Sequence, residues 1–147
     1  MIFKTLKAIT LAFTLLAGVV ASLTTEAATV SGTLGTSIVA ADSYAFTCPT
    51  VTAKVQINVM DLNTIRNSLA TVYATIGKDG SPTSTVADTE STPTGSAPAT
   101  NTDGQGIYSL VVNKSTTGTE DYTVQLLCLN SLGKPLTLAN PQIKTNQ

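Results

Sequence analysis

Five stretches of this chain alternate between apolar and polar residues with a period of two. In VTAKVQINV, residues 51–59, every odd position is apolar and every even position is polar. The stretches SYAFTC (43–48), TVYATI (71–76), YSLVV (108–112) and YTVQLLC (122–128) likewise place most of their large apolar residues on one face. Successive side chains of a β-strand point to opposite faces, so one face of each strand packs on a core and the other meets water. The pattern therefore predicts a fold of half-buried strands.

Turn signals rich in glycine separate these stretches. They stand at 77–80 (GKDG), 103–106 (DGQG), 117–118 (TG) and 133–135 (GKP). The segment Asp61 to Ala70 has apolar residues at helical spacing, and we interpret it as a short helix or, equally, as a loop that enters the next strand. Short antiparallel strands with one wet face predict an all-β fold, a small antiparallel β-sandwich of jelly-roll type.

The N-terminal segment has the three parts of a secretory signal peptide. Lys4 and Lys7 precede an uncharged apolar run at 8–23, and small residues follow up to Ala27 and Ala28. We expect a signal peptide at 1–27, with residues 28–147 forming a single domain of ordinary size. The alternative is a retained N-terminal anchor. Export predicts a secreted or periplasmic location, or the cell surface of a bacterium, with no membrane contact after the signal is removed.

Cys48 and Cys128 are the only cysteines, and both are in phase with the apolar residues of their strands. Both side chains should therefore point inward. An exported chain with an even number of cysteines predicts one disulfide, which would cross the core or join two neighbouring strands. The alternatives are two buried free thiols or a thiolate metal site, although a soft metal usually takes further Cys, Met or His ligands.

Residues 81–104 interrupt the alternation. This tract is dominated by Ser, Thr and Pro, and Val86 is its one large aliphatic residue. Such a composition buries little apolar surface to offset the entropy of ordering, so we expect a long surface loop. A binding loop or an O-glycosylated segment is the alternative interpretation.

Charge and composition exclude several function classes. Residues 28–147 carry six basic and eight acidic side chains with no basic cluster, so we do not expect a nucleic-acid partner. The chain has no histidine, which rules out Ser-His-Asp and Cys-His catalysis. The adjacent acids Glu120 and Asp121 are interpreted as a solvated strand entry. We therefore expect a protein that is not an enzyme.

Asp79 and Asp103 are weak candidates for a calcium site. Both lie in glycine-rich turns, and Ca²⁺ prefers carboxylate and carbonyl oxygens. An EF-hand loop centred on Gly104 fails, because Ala99 and Leu110 would occupy ligand positions. The alternative is a pair of ordinary turns, and no other metal or cofactor is expected.

Tyr73 is a weak candidate for a binding residue. Alternation places Tyr44, Tyr108 and Tyr122 on core faces, whereas Tyr73 lies opposite the apolar side of its strand. An exposed aromatic ring can serve as a platform for a ligand, but an isolated surface tyrosine is often incidental.

The ordered motifs resemble a known module. DSYAFTC, then NSLATVYATIGKDG, then GIYSLVVNKSTTGTEDYTVQLLC together resemble the bacterial pre-peptidase C-terminal domain over about Asp42 to Asn130. The matching positions are Asp42, Tyr44, Phe46, Asp79, Gly80, Gly106, Tyr108, Leu110, Val112, Tyr122 and Val124. The resemblance implies a jelly-roll-like β-sandwich that helps exported proteins bind, fold or stay soluble, without catalysis.

Two functional hypotheses follow from these patterns. The first is a secreted, non-catalytic binding or accessory module that recognises an extracellular polymer or a protein surface. The second is a structural subunit of a surface fibre or coat. It rests on the alternating segment from Val30 to Ile38, which could complete a neighbour's sheet by strand addition and so support self-association. The alternative for this segment is that it forms the chain's own first strand.

Overall fold

The computed structural model describes residues 27–62, 70–79, 83–89 and 94–147. Ten strands make up this part of the chain, which contains no helix: β1 (Ala28–Leu34), β2 (Ala41–Cys48), β3 (Lys54–Asp61), β4 (Thr71–Gly77), β5 (Ser84–Thr89), β6 (Ala99–Asn101), β7 (Gly106–Lys114), β8 (Glu120–Leu129), β9 (Pro135–Leu136) and β10 (Gln142–Thr145). Accordingly, no helix able to cross a membrane was found among the described residues.

The strands form two antiparallel sheets that enclose one core. Sheet A has the order β1-β8-β3-β6, with β9 also paired to β8. Sheet B has the order β10-β2-β7-β4-β5. The inward residues of both sheets belong to one hydrophobic cluster, so the sheets pack face to face. The predicted all-β antiparallel sandwich is confirmed.

The period-two pattern sets which side chains are buried. Val55, Ile57 and Val59 on β3 are buried, as are the even positions of β2 and β8 and those of β7 from Tyr108 onward. The rings of Phe46 and Tyr108 are paired across β2 and β7 and stack with their centroids 5.5 Å apart.

Val51 departs from the predicted pattern. Its side chain is 73% exposed and its φ is +68°, because it lies in the turn before β3 rather than in the strand.

The prediction of a long loop at 81–104 is wrong for part of the tract. It contains β5, which pairs with β4, and β6, which pairs with β3. Thr and Ala suffice for the solvent side of an edge strand, so a scarcity of large apolar residues did not preclude pairing. Val86 and Asp88 are the inward-facing buried residues of β5.

Two predicted segments fall largely outside the described residues. The signal peptide at 1–27 lies there except for Ala27, and the proposed helix at 61–70 does so at 63–69. Asp61 itself is the last residue of β3.

The first part of the segment from Val30 to Ile38 lies in the chain's own first strand. β1 pairs with β8 in continuous register from Ala28↔Leu126 to Leu34↔Glu120. Val30 and Leu34 are buried in the core, but the strand ends at Leu34 and Ile38 is 52% exposed. The alternation predicted up to Ile38 therefore holds only for β1.

Candidate functional site

The two cysteines form the predicted disulfide. Cys48 ends β2 in sheet B and Cys128 lies near the end of β8 in sheet A, with their Cα atoms 5.7 Å apart. The bond therefore joins the two sheets through the core rather than two neighbours within one sheet. Both residues are buried, so this disulfide is a structural link and not an accessible redox site.

The calcium candidates Asp79 and Asp103 lie near the half-buried side chain of Lys78. The Lys78 ammonium donates hydrogen bonds to the backbone carbonyls of Asp103 and Gln105, and it lies 5.8 Å from the centre of the Tyr108 ring. The Tyr108 hydroxyl donates to the Gly104 carbonyl at 2.7 Å. The lysine thus occupies carbonyl oxygens of the kind that a calcium ion would need.

The remaining geometry of this turn does not assemble a metal site. Asp79 is exposed at the end of the β4 turn, whereas Asp103 is half-buried and its backbone N–H donates to the Asn101 side chain at 2.9 Å. Among the residues that the structure describes, no group of three or more potential Cys, Asp or Glu ligands lies together. Charge-assisted hydrogen bonds from Lys78 hold the carbonyls of Asp103 and Gln105 in this turn.

A buried polar chain connects the two sheets at the end opposite the disulfide. The Tyr122 hydroxyl on β8 donates to Asp42 Oδ2 on β2 at 2.6 Å and is 2.7 Å from the Tyr44 hydroxyl. A hydroxyl carries one proton, so Tyr44 must be the donor to Tyr122. All three residues are at most 4% exposed, which leaves no access for a substrate.

The C-terminal residue is bound to this buried chain. The Gln147 backbone N–H donates to Asp42 Oδ1 at 2.9 Å, and the Gly35 N–H donates to the Gln147 carbonyl at 2.9 Å. The buried Lys114 ammonium donates to the Gly35 carbonyl. Asp42 therefore fastens the segment after β10 to β2, and the Gln147 carbonyl fastens the same segment to the loop after β1.

Glu120 does not lie where the sequence analysis expected it. The interpretation as a solvated strand entry is wrong for this residue, which is fully buried on the inner face of β8, whereas Asp121 is exposed. The sequence contained a signal of this burial, because Glu120 is in phase with Tyr122 and Val124. A strand side chain shares a face with its neighbours two residues away.

Burial shapes the ionisation of the three core tyrosines. Desolvation raises the pKa values of Tyr44, Tyr108 and Tyr122, and hydrogen bonding to Asp42 raises that of Tyr122 further. The phenols therefore remain protonated donors at neutral pH. These hydroxyls act as hydrogen-bond donors inside the fold.

The outer face of sheet B is the most distinctive accessible surface. We define it by the outward residues of its four long strands, which are Ala41, Ser43, Ala45, Thr47, Ile107, Ser109, Val111, Asn113, Thr71, Tyr73, Thr75, Gly77, Thr85, Ala87 and Thr89. None of these residues is charged, because Asp42, Asp88 and Lys114 point inward and are buried. Strand spacing and length give this face dimensions of roughly 15 Å by 20 Å.

Tyr73 lies near the middle of this face, as predicted for its side of the strand. It is half-buried, and its cross-strand neighbours are Asn113 on β7 and Ala87 on β5. The next row contains Val111, Thr75 and Thr85, where the two threonine hydroxyls are 2.9 Å apart. The only ring on the defined face is thus surrounded by uncharged side chains that are small, aliphatic, amide-bearing or hydroxyl-bearing.

No protein-family model, curated protein or solved structure matched this chain. The resemblance to the pre-peptidase C-terminal domain therefore stays a prediction from the motifs.

Proposed function

We propose that this protein is an exported, non-catalytic binding module whose outer face of sheet B docks onto an uncharged polysaccharide. The observation that carries the proposal is the absence of charge across four adjacent strands, combined with a central tyrosine. The disulfide between Cys48 and Cys128 supports an oxidising location outside the cytoplasm. The secretory signal-peptide pattern at 1–27 and the resemblance to a bacterial accessory module are consistent with this location.

The chemistry of the face suits a neutral ligand. Ser, Thr and Asn side chains both donate and accept hydrogen bonds, as sugar hydroxyls do. Tyr73 offers an apolar ring with a polar tip, and its cross-strand neighbours Ala87 and Asn113 are uncharged. An ionic polymer would find no opposite charge on the face to compensate for its lost hydration.

The alternative, a structural subunit that donates its N-terminal strand, is less well supported. β1 fills a place in its own sheet, and Val30 and Leu34 occupy the chain's own core. Donation to a neighbour would first have to break the whole β1–β8 register.

Retention on insoluble neutral polysaccharides, cellulose and chitin among them, tests the proposal. The purified protein should be retained on at least one of them, and Tyr73→Ala should weaken retention about fivefold, since an aromatic contact contributes about 1 kcal/mol. Retention should change little between low and high salt, because no charge on the face is screened.

Met60→Ala is the matched control, because Met60 is half-buried on the outward side of β3 in sheet A. It should bind as the wild type does. Equal retention of Tyr73→Ala and the wild type, or retention only on acidic polymers with strong salt dependence, would contradict the proposal.

A further inference from the structure

Several hydroxyl groups on the outer face of sheet B are already bonded within the protein. Ser43 donates its only proton to Thr145 Oγ1 at 3.0 Å, and Ser109 donates to a backbone carbonyl of β4 at 3.3 Å. The Thr75 and Thr85 hydroxyls are 2.9 Å apart, so one of them donates to the other. These hydroxyls therefore have fewer donors left for a ligand than their number indicates.

Asn113, by contrast, keeps its hydrogen-bonding groups available beside the central ring. Its side chain is exposed, and it makes no hydrogen bond within the part of the chain that the structure describes. A side-chain amide has two N–H donors and one acceptor oxygen. Strand pairing sets Tyr73 on one side of Asn113 and Ala41 on the other. The face thus combines an aromatic ring with an adjacent amide that is open to a ligand.

We propose that Tyr73 and Asn113 together bind one sugar that carries an acetamido group, so that the ligand is a polymer of N-acetylated amino sugars. This inference rests on the proposed function and names the class of its ligand. The Asn113 Nδ2–H group donates to the acetamido carbonyl, which is an acceptor that an unsubstituted glucan lacks.

The residues around Asn113 favour an acetamido group over a hydroxyl. Ala41 lies opposite Asn113 on β2, and Val111, which is 37% exposed, lies two residues away on the same face of β7. These apolar side chains suit the methyl of an acetamido group, which gains free energy when it leaves water. A sugar hydroxyl held against the same side chains would lose hydration without a partner.

Tyr73 brings the sugar ring close to this amide. Neighbouring strands are about 4.8 Å apart, so a pyranose that contacts the Tyr73 ring extends a substituent over β7. Tyr73 therefore binds a pyranose of either kind, whereas Asn113 distinguishes the acetamido-bearing sugar from the hydroxyl-bearing one.

Binding of two matched oligosaccharides tests this assignment. Chito-oligosaccharides and cello-oligosaccharides of equal length differ only in the acetamido group that replaces one hydroxyl of each sugar. Isothermal titration of the disulfide-bonded protein should show about tenfold tighter binding of the chito-oligosaccharide, as expected for one added hydrogen bond and one buried methyl. Asn113→Ala should remove most of this preference, whereas Tyr73→Ala should weaken the binding of both oligomers.

Two further variants separate hydrogen bonding from other effects. Asn113→Asp keeps the size of the side chain but removes its N–H donors, so it should lose the preference as Asn113→Ala does. Asn58→Ala is the matched control, because Asn58 is an outward amide on β3 in sheet A, and it should bind as the wild type does. Unfolding curves check that each variant is folded.

The outcomes distinguish this inference from the proposed function. The inference is overturned if the wild type binds neither oligomer, if it binds the cello-oligosaccharide as tightly or more tightly, or if both Asn113 variants keep the preference. In each of these cases, retention on an insoluble neutral polysaccharide that Tyr73→Ala weakens would still support the proposed function. Loss of that retention result as well would overturn both.

Discussion

At the residue scale, the buried Asp42–Tyr122–Tyr44 chain shows how polar groups stabilise this core. Alternation placed each tyrosine inward, but the donors and acceptors come from different sheets. Tyr122 is the central member, since its hydroxyl both donates to Asp42 and accepts from Tyr44. Removing the Tyr122 hydroxyl leaves the buried Asp42 Oδ2 without that donor. This loss lowers the free energy of unfolding more than loss of the Tyr44 hydroxyl, which lies at the end of the chain of hydrogen bonds.

We therefore expect Tyr122→Phe to lower the free energy of unfolding by about 2–3 kcal/mol, and Tyr44→Phe by about 1 kcal/mol. Tyr44→Phe is the control of the same chemistry, because it leaves the bond from Tyr122 to Asp42 intact. Urea unfolding of both variants measures the difference. An equal or larger effect of Tyr44→Phe would show that Tyr122 is not the central donor.

At the scale of elements, β1 depends on a glycine in its interior. Gly32 is paired with Tyr122, and a Cβ atom at this position would lie 2.6 Å from the Tyr122 hydroxyl oxygen and 2.9 Å from Asp42 Oδ2. Both contacts are with buried side chains, so the neighbours have little room to move. The glycine allows the polar chain of β2 and β8 to pass beneath β1, which explains its place in a strand.

Gly32→Ala should therefore destabilise the protein by about 1–3 kcal/mol, as expected for overpacking. The penalty should be smaller in the Tyr122→Phe background, because the closest contact atom is gone. Chemical denaturation of the two single variants and the double variant measures this coupling. Ser31→Ala, on the outward side of β1, is the control and should change stability little. Strict additivity would refute the proposed contact.

At the scale of the whole molecule, the disulfide joins the two sheets. It closes a loop with a sequence separation of 80 residues, between the end of β2 and the end of β8. Constraining so long a loop in the unfolded chain stabilises the folded state by about 4.5 kcal/mol in the chain-entropy model. The bond and the Asp42 chain thus fasten opposite ends of the same two strands.

The double variant Cys48→Ala/Cys128→Ala should lose about 4–5 kcal/mol of unfolding free energy. The double substitution avoids leaving an unpaired thiol in the core, which a single substitution would do. Because both sulfurs are buried, a reductant should act on the wild type only under conditions that unfold it. A double variant as stable as the oxidised wild type would contradict the role of the disulfide.

The sequence by itself determined which side chains of each long strand face the core, because a period of two is a local property of the extended backbone. It therefore predicted the all-β class, the inward cysteines and the outward side of Tyr73. Only the tertiary structure decided what depends on pairing between distant strands. In the tertiary structure, β5 and β6 pair with other strands although their tract has few large apolar residues, and Glu120 is buried. Lys78 donates to the turn at 103–105, and the uncharged sides of four neighbouring strands form one face. Alternation states that a residue faces inward or outward, but strand order and register decide which residues it meets there.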